Sequence, residues 1–203
     1  MYGLMRKLVL LFKLSISLIT PPYYSFFITT ERLCKKEIEK RPNDIYSIWL
    51  LSYIYVQNDK YEEAQILLES LINRGIDRKA IKLLLSRVYF NLRQYEKVEK
   101  ILSRFEKLTD KDTANYYIGY SLIELGKVDE GIKYLEIYLK HHPKDYMVLW
   151  KLGYEYFKHE QYNLALEAYR KAEKLNPSKK EIKDGIDLCI ENLKNVSDVS
   201  SVH

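Results

Sequence analysis

Residues 146–179 read YMVLWKLGYEYFKHEQYNLALEAYRKAEKLNPSK, and the stretch before them repeats their landmarks. Gly153 follows Gly119 by 34 residues. Around them, Tyr117-Ile118-Gly119-Tyr120, Gly131 and Pro143 stand against Lys151-Leu152-Gly153-Tyr154, Ala165 and Pro177. The same 34-residue step joins Tyr55 to Tyr89, Tyr61 to Tyr95 and Leu51 to Leu85. A fixed period of that length marks stacked helix pairs instead of one globular core. Local spacing agrees. Ile48, Leu51, Ser52 and Tyr55 form one apolar or small stripe at helical spacing, and Tyr61, Ala64, Leu68 and Leu71 form the next. Turn residues separate the two helices of a pair, as at Asn58-Asp59, Leu125-Gly126 and His159-Glu160.

Working outward from 146–179, the units are 112–145, 79–111 and 45–78, the second being one residue short at the Leu108–Lys111 connection. Four units exceed the three that a stack needs to bury its faces. The small residue of the first helix is Gly119 and Gly153 in two units and Ser52 and Ser86 in the others. Where the helices cross stand Ala64, Val98, Gly131 and Ala165. Val98, with Leu71, Phe105 and Tyr138 further along, predicts wider crossings. Residues 28–44 read as a degenerate half repeat. A capping helix is expected over 180–195, with Ile182, Ile186, Cys189, Ile190 and Leu193 on its inner stripe, because a stack must end on a polar face. The tail 196–203 has no such pattern and is expected to be disordered.

The landmarks Leu152, Gly153, Tyr156, Ala165, Tyr169, Ala172 and Pro177 closely resemble the tetratricopeptide-repeat family. The resemblance spans about two thirds of the chain and is strongest in its last two units. It implies an all-α solenoid whose concave groove holds protein or peptide ligands. Some members grip a C-terminal carboxylate with a lysine and an asparagine at positions 5 and 9 of their first repeat. Here those positions are Trp49 and Tyr53, so a carboxylate-clamp ligand is not expected.

Charge narrows the partners further. Net charge is +5 over 203 residues, and residues 1–44 hold eight Lys/Arg against four acids. The rest is nearly balanced, which argues against a nucleic-acid partner, since that would need a basic face along the molecule. The basic end carries the apolar segment 1–27, for which three readings are open. It is a helix packed on the repeats, a membrane-inserted or surface anchor, or a signal that is removed. As a transmembrane span it is too short, because the run from Leu8 meets Lys13 and then Pro21-Pro22. Arg6, Lys13, Ser17 and Thr20 instead fall on one narrow polar stripe, as in an amphipathic helix.

No catalytic constellation is visible, and the chain is read as a non-enzyme. His141, His142, His159 and His203 lack partners at metal-ligand spacing, and no phosphate loop or nucleophile elbow occurs. No cofactor or metal is expected. Cys34 and Cys189 lie near opposite ends and read as buried small hydrophobes in a reducing, cytoplasmic setting, with membrane association through the N-terminus kept open.

The remaining signal lies on the first helix of each pair. With positions numbered from each unit's start, the core stripe uses 4, 7, 8 and 11. Positions 2, 5, 9 and 12 form a second stripe turned by roughly 130°. In the resembled family that stripe lines the groove. Here it carries Tyr46, Trp49, Tyr53 and Val56; then Ala80, Leu83, Arg87 and Phe90; then Thr113, Tyr116, Tyr120 and Ile123; and last Met147, Trp150, Tyr154 and Phe157. Both tryptophans of the chain stand at position 5. Aromatics bury about 150–250 Å² each, whereas soluble monomers rarely leave patches above a few hundred Å² open. Something must therefore cover the stripe in part. The candidates are packing between neighbouring first helices, an apolar or aromatic partner peptide, self-association, or the chain's own N-terminal helix. The sequence points to a scaffold or adaptor that binds a partner through this stripe. A structural subunit of a membrane-associated assembly is the alternative.

Overall fold

Between its turns the chain is α-helical throughout the described residues, and no strand occurs among them. The structure is a computed structural model that describes residues 23–103 and 113–200. Its helices are α1 (Tyr23–Lys40), α2 (Ile45–Gln57), α3 (Tyr61–Asn73), α4 (Lys79–Asn91), α5 (Tyr95–Leu102), α6 (Ala114–Glu124), α7 (Val128–His141), α8 (Tyr146–Lys158), α9 (Tyr162–Leu175) and α10 (Lys180–Ser200). The fold is an α-solenoid of helix-turn-helix repeats closed by a C-terminal capping helix. It divides into two compact units, one ending at Asp77 and the other starting at Arg78.

The turn inside each repeat is built the same way four times. Position 15 is Asp59, Arg93, Gly126 or Glu160, and each takes a left-handed backbone with φ between 56° and 80°. The next amide then reaches back to the carbonyl of position 11: Lys60 to Tyr55, Gln94 to Tyr89, Lys127 to Leu122 and Gln161 to Tyr156, at 2.8–2.9 Å. The amide of position 15 bonds the carbonyl of position 12 in the same four turns. This double bond pattern satisfies orphan carbonyls at the helix end and aims the second helix back along the first. Helix starts are marked too. Asp44 accepts from the Ser47 amide, and Asp145 accepts from the Met147 and Val148 amides at 3.1 and 3.3 Å.

In the first unit α1 packs on α2, and α2 on α3. Cys34, Leu50, Leu51 and Ile54 are its buried cluster. The helix expected to begin at residue 28 begins at Tyr23, directly after Pro21-Pro22 in the sequence. The division at 27/28 therefore moves, with Tyr23–Phe27 belonging to α1. Residues 1–22, on which the three readings of the N-terminal segment rest, lie outside the described residues. No helix among the described residues is long and apolar enough to cross a membrane.

In the second unit each helix from α4 to α10 packs on the next, and α8 also touches α10. Glycine sets the closest crossing. A Cβ on Gly131 would stand 2.6 Å from the Gly119 carbonyl oxygen and 2.6 Å from Ile123 Cγ1, so α6 and α7 touch backbone to backbone. Gly153 and Gly185 both receive the Tyr169 ring, at 2.7 Å for the added Cβ in each case. Tyr169 is thereby clamped between α8 and α10. Ile182 and Cys189 on the cap are fully buried, while Ile186, Ile190 and Leu193 are half-buried. The capping helix expected to stop at 195 continues through Ser200, so that part of the tail expected to be disordered is helical. No glycine or proline follows Gly185, so nothing in the sequence stops the turn-by-turn bonding there.

Candidate functional site

The first helix of each repeat is buried on a wider arc than its 4-7-8-11 stripe. Positions 3 and 10 are also buried: Ser47 and Ile54, Ile81 and Val88, Ala114 and Ser121, Val148 and Glu155. The helix is held on two sides, and only a narrow strip stays accessible. At 100° per residue, position 12 lies about 40° from position 8 of the core stripe, position 5 about 60°, and positions 9 and 2 about 100° and 120°. Burial follows that order. At position 12, Val56 is 0 % and Ile123 6 % exposed. Phe157 is half-buried against the core of α9 and faces the Tyr162 ring at 5.5 Å. Positions 2 and 9 of the last repeat, Met147 and Tyr154, are 41 % and 43 % exposed. Of the four-position stripe, position 12 therefore turns into packing.

The aromatic residues gather in separate groups. In the first unit Tyr46, Trp49 and Tyr53 form a ladder along α2, with ring centroids 6.3 and 6.0 Å apart. The Tyr46 hydroxyl and the Trp49 ring nitrogen are buried without a hydrogen-bond partner among the described residues. In the second unit Phe90 of α4 meets Tyr116 and Tyr120 of α6 at 5.6 and 6.0 Å, and Tyr116 meets Tyr120 at 4.8 Å. Burial pushes the hydroxyls of Tyr116, Tyr117 and Tyr120 upward from the ordinary tyrosine range. At Tyr117 the charge of Arg87 works the other way. Packing between neighbouring first helices thus covers Phe90, Tyr116 and Tyr120. It does not cover the outer face of α8, where Trp150 and Tyr154 stack at 6.2 Å.

Lysines take up part of the α8 face. Lys179 lies over the Trp150 ring at 4.6 Å and the Tyr146 ring at 5.7 Å, and donates to Met147 Sδ at 3.7 Å. Lys158 lies 5.6 Å from the Tyr154 ring. Lys151 lies 5.8 Å from both the Tyr120 and the Tyr154 rings, which ties α8 to the α6 cluster. Its ammonium also bonds Glu124 Oε1 at 3.1 Å and Glu155 Oε1 at 3.0 Å. Burial pulls the Lys151 ammonium down, but the hydrogen bonds to Glu155 and Glu124 outweigh it and the net shift is upward.

The Lys151–Glu155 pair escaped the sequence reading. It occupies positions 6 and 10, which hold Leu50 and Ile54, Leu84 and Val88, and Tyr117 and Ser121 in the other repeats. The signal was available as a charge at two positions that are otherwise uncharged and mostly apolar. Glu155 is only 1 % exposed, and its Oε2 has no hydrogen bond, the Lys158 ammonium standing 3.9 Å away. No cluster of metal-ligating side chains occurs among the described residues.

Comparison with known proteins agrees with the repeat fold. A tetratricopeptide-repeat family model matches residues 116–180, the stretch from the first tyrosine of α6 to the start of the cap. Among solved structures the chain is similar to YrrB, described as a TPR protein with an unusual peptide-binding site. The identity is 21 %, over 80 % of this chain and 84 % of that one, with a TM-score of 0.68. It is similar to MamA at 20 % identity, over 76 % and 90 % of the two chains, with a TM-score of 0.66. It is also similar to TTC0263, a thermophilic TPR protein of Thermus thermophilus, at 16 % identity over 92 % and 96 %, with a TM-score of 0.54. No curated protein matches the chain.

Proposed function

We propose that this tetratricopeptide-repeat protein is a non-catalytic scaffold that holds a segment of a partner protein against the aromatic faces of its first helices. The observation that carries the reading is the outer face of α8. Met147 and Tyr154 stay 41 % and 43 % exposed beside Trp150, on the one strip of that helix which packing leaves open. Tyrosine and tryptophan offer large, stiff, amphipathic surfaces that lose little conformational freedom on binding, and they are enriched in binding hot spots. The ladder of Tyr46, Trp49 and Tyr53 on α2 presents the same chemistry in the first unit; in the second, Phe90, Tyr116 and Tyr120 are taken up largely by packing on one another, which leaves the α8 face as the main contact. The ligand is an apolar or aromatic segment laid along the strip as a helix or an extended strand. YrrB, which shares the fold, is described as having a peptide-binding site; the present reading rests on the strip and takes only plausibility from that protein.

The test is affinity purification of partners with the full chain and with its Met147→Ala and Tyr154→Ala forms. Both side chains are exposed enough that stability should change by no more than about 0.5 kcal/mol. Binding should weaken by more than about 1 kcal/mol per substitution if the strip is the contact. Recovery of the same partners at undiminished affinity would sink the reading.

A further inference from the structure

We infer that the α8 strip selects a partner segment in which an acidic side chain lies beside an aromatic or large aliphatic one. This deepens the reading above and rests on it.

One ammonium on this face has no carboxylate of its own among the described residues. On α8 the acid Glu155 is buried between Lys151, which also bonds Glu124, and Lys158 at 3.9 Å, so two ammoniums face two carboxylates there. Lys179 is different. Its ammonium sits over Trp150 and Tyr146 and against Met147 Sδ, with no carboxylate in ion-pair reach among the described residues. Ring faces attract a cation but leave its charge uncompensated. Lys158 lies over Tyr154 at the other end, loosely paired with Glu155 at 3.9 Å and with its side chain still 53 % exposed. The strip is therefore a floor of two stacked rings with an ammonium at either end, and α8 sends no acid to its open face. An acidic group arriving there gains the Lys179 ammonium, which has no carboxylate of its own, and the exposed Lys158 ammonium beyond it, while an apolar neighbour fills the space over Trp150 and Tyr154.

Length fixes the spacing. From Trp150 to Lys158 is eight helical residues, about 12 Å. That equals roughly four residues of extended chain. The acid should thus lie within about four positions of the apolar anchor. A neutral apolar peptide would leave the Lys179 ammonium covered without a counter-charge, and a basic one would meet repulsion. The positions also differ from those of the clamp that grips a terminal carboxylate: Lys158 ends the first helix, and Lys179 precedes the cap.

The test uses the full chain and random 12-residue peptides displayed on phage. Selection runs in parallel on three proteins: unaltered, Lys158→Glu with Lys179→Glu, and Trp150→Ala with Tyr154→Ala. The unaltered chain should enrich Asp or Glu within four positions of an aromatic or aliphatic residue. A selected peptide should bind at least about tenfold more tightly than its Asn/Gln analogue, with the gap narrowing as salt rises. The charge-reversed chain should switch to Lys and Arg. Should that chain melt early, Lys179→Gln replaces it and should shrink the tenfold gap. Enriched peptides without acidic bias, or Asn/Gln analogues that bind equally, overturn this inference and leave the groove reading standing. Peptides whose binding ignores Trp150 and Tyr154 overturn both.

Discussion

At the residue scale, two positions show what the repeat demands of a side chain. Gly131 is fixed by contact with backbone: any Cβ meets the Gly119 oxygen and the Ile123 amide nitrogen, neither of which can swing aside. Gly131→Ala should destabilise the second unit by about 1–3 kcal/mol, the usual cost of overpacking, read as a lower denaturation midpoint with an unchanged slope. Cys34 shows the opposite relation to solvent. It is fully buried, and that burial, helped by Asp44 and Glu31, pushes its thiol up to about 12. Cys189 is buried as well, and its thiol is pushed upward for the same reason. Since the thiolate is the reactive form, both should resist a thiol reagent at pH 8 in the folded chain and react promptly in denaturant. Fast labelling of two thiols in the native protein would contradict the packing. The sequence marked both cysteines as buried small hydrophobes. It did not mark Glu155, because a lone glutamate in a charged chain carries no sign of where it points.

At the scale of the element, the four turns and the buried Lys151–Glu155 ion pair shape how repeats join. Asp59, Arg93 and Glu160 hold the left-handed conformation that Gly126 holds without strain. A Cβ costs roughly 1–2 kcal/mol there, and glycine gives back about 0.5–1 kcal/mol of that as lost chain entropy. Arg93→Gly should therefore stabilise by a few tenths to about 1 kcal/mol, measured by thermal melting; destabilisation would mean that the Arg93 side chain has a role of its own. The Lys151–Glu155–Glu124 bridge joins α6 to α8 from two positions that carry no charge in the other repeats. Glu155→Ala should cost up to about 3 kcal/mol, less than a full buried-pair loss because Lys151 keeps Glu124. Replacing both, Lys151→Leu with Glu155→Ile, restores the pairing seen at Leu50 and Ile54 and should recover most of that loss. A double mutant no better than Glu155→Ala would show that the ion pair itself, and not the filled space, holds the joint.

At the scale of the whole molecule, tyrosine abundance sets the response to pH. The chain has 19 tyrosines, and burial is the largest cause raising the hydroxyls of Tyr116, Tyr117, Tyr120, Tyr138, Tyr156 and Tyr169. Lys151 is also raised. In each case the folded value lies above the unfolded one, so the folded state binds more protons at alkaline pH. The stability they contribute is complete below about pH 10, the unfolded tyrosine and lysine range, and is lost as pH climbs through the raised folded values. Melting temperature should stay level up to that point and then fall, with tyrosinate absorbance appearing together with unfolding. Tyrosinate absorbance that titrates fully near pH 10 in a chain still folded would contradict the buried clusters.

The sequence by itself determined the helix pairs, their period and the small residues at their crossings. Each of these follows from local spacing, and a repeat states it four times over. It also determined that the second stripe of the first helices is aromatic, since Trp49, Tyr53, Trp150 and Tyr154 could be placed by counting. Only the tertiary structure decided which of those rings stay open. Position 12 lies nearest the core edge and turns inward; Phe90, Tyr116 and Tyr120 cover one another between α4 and α6; Trp150 and Tyr154 remain beneath Lys179 and Lys158. The reason is that exposure belongs to the neighbour as much as to the residue. A lysine that follows Trp150 by 29 positions reaches its ring through the path of two helices and a turn, and no local pattern encodes that path.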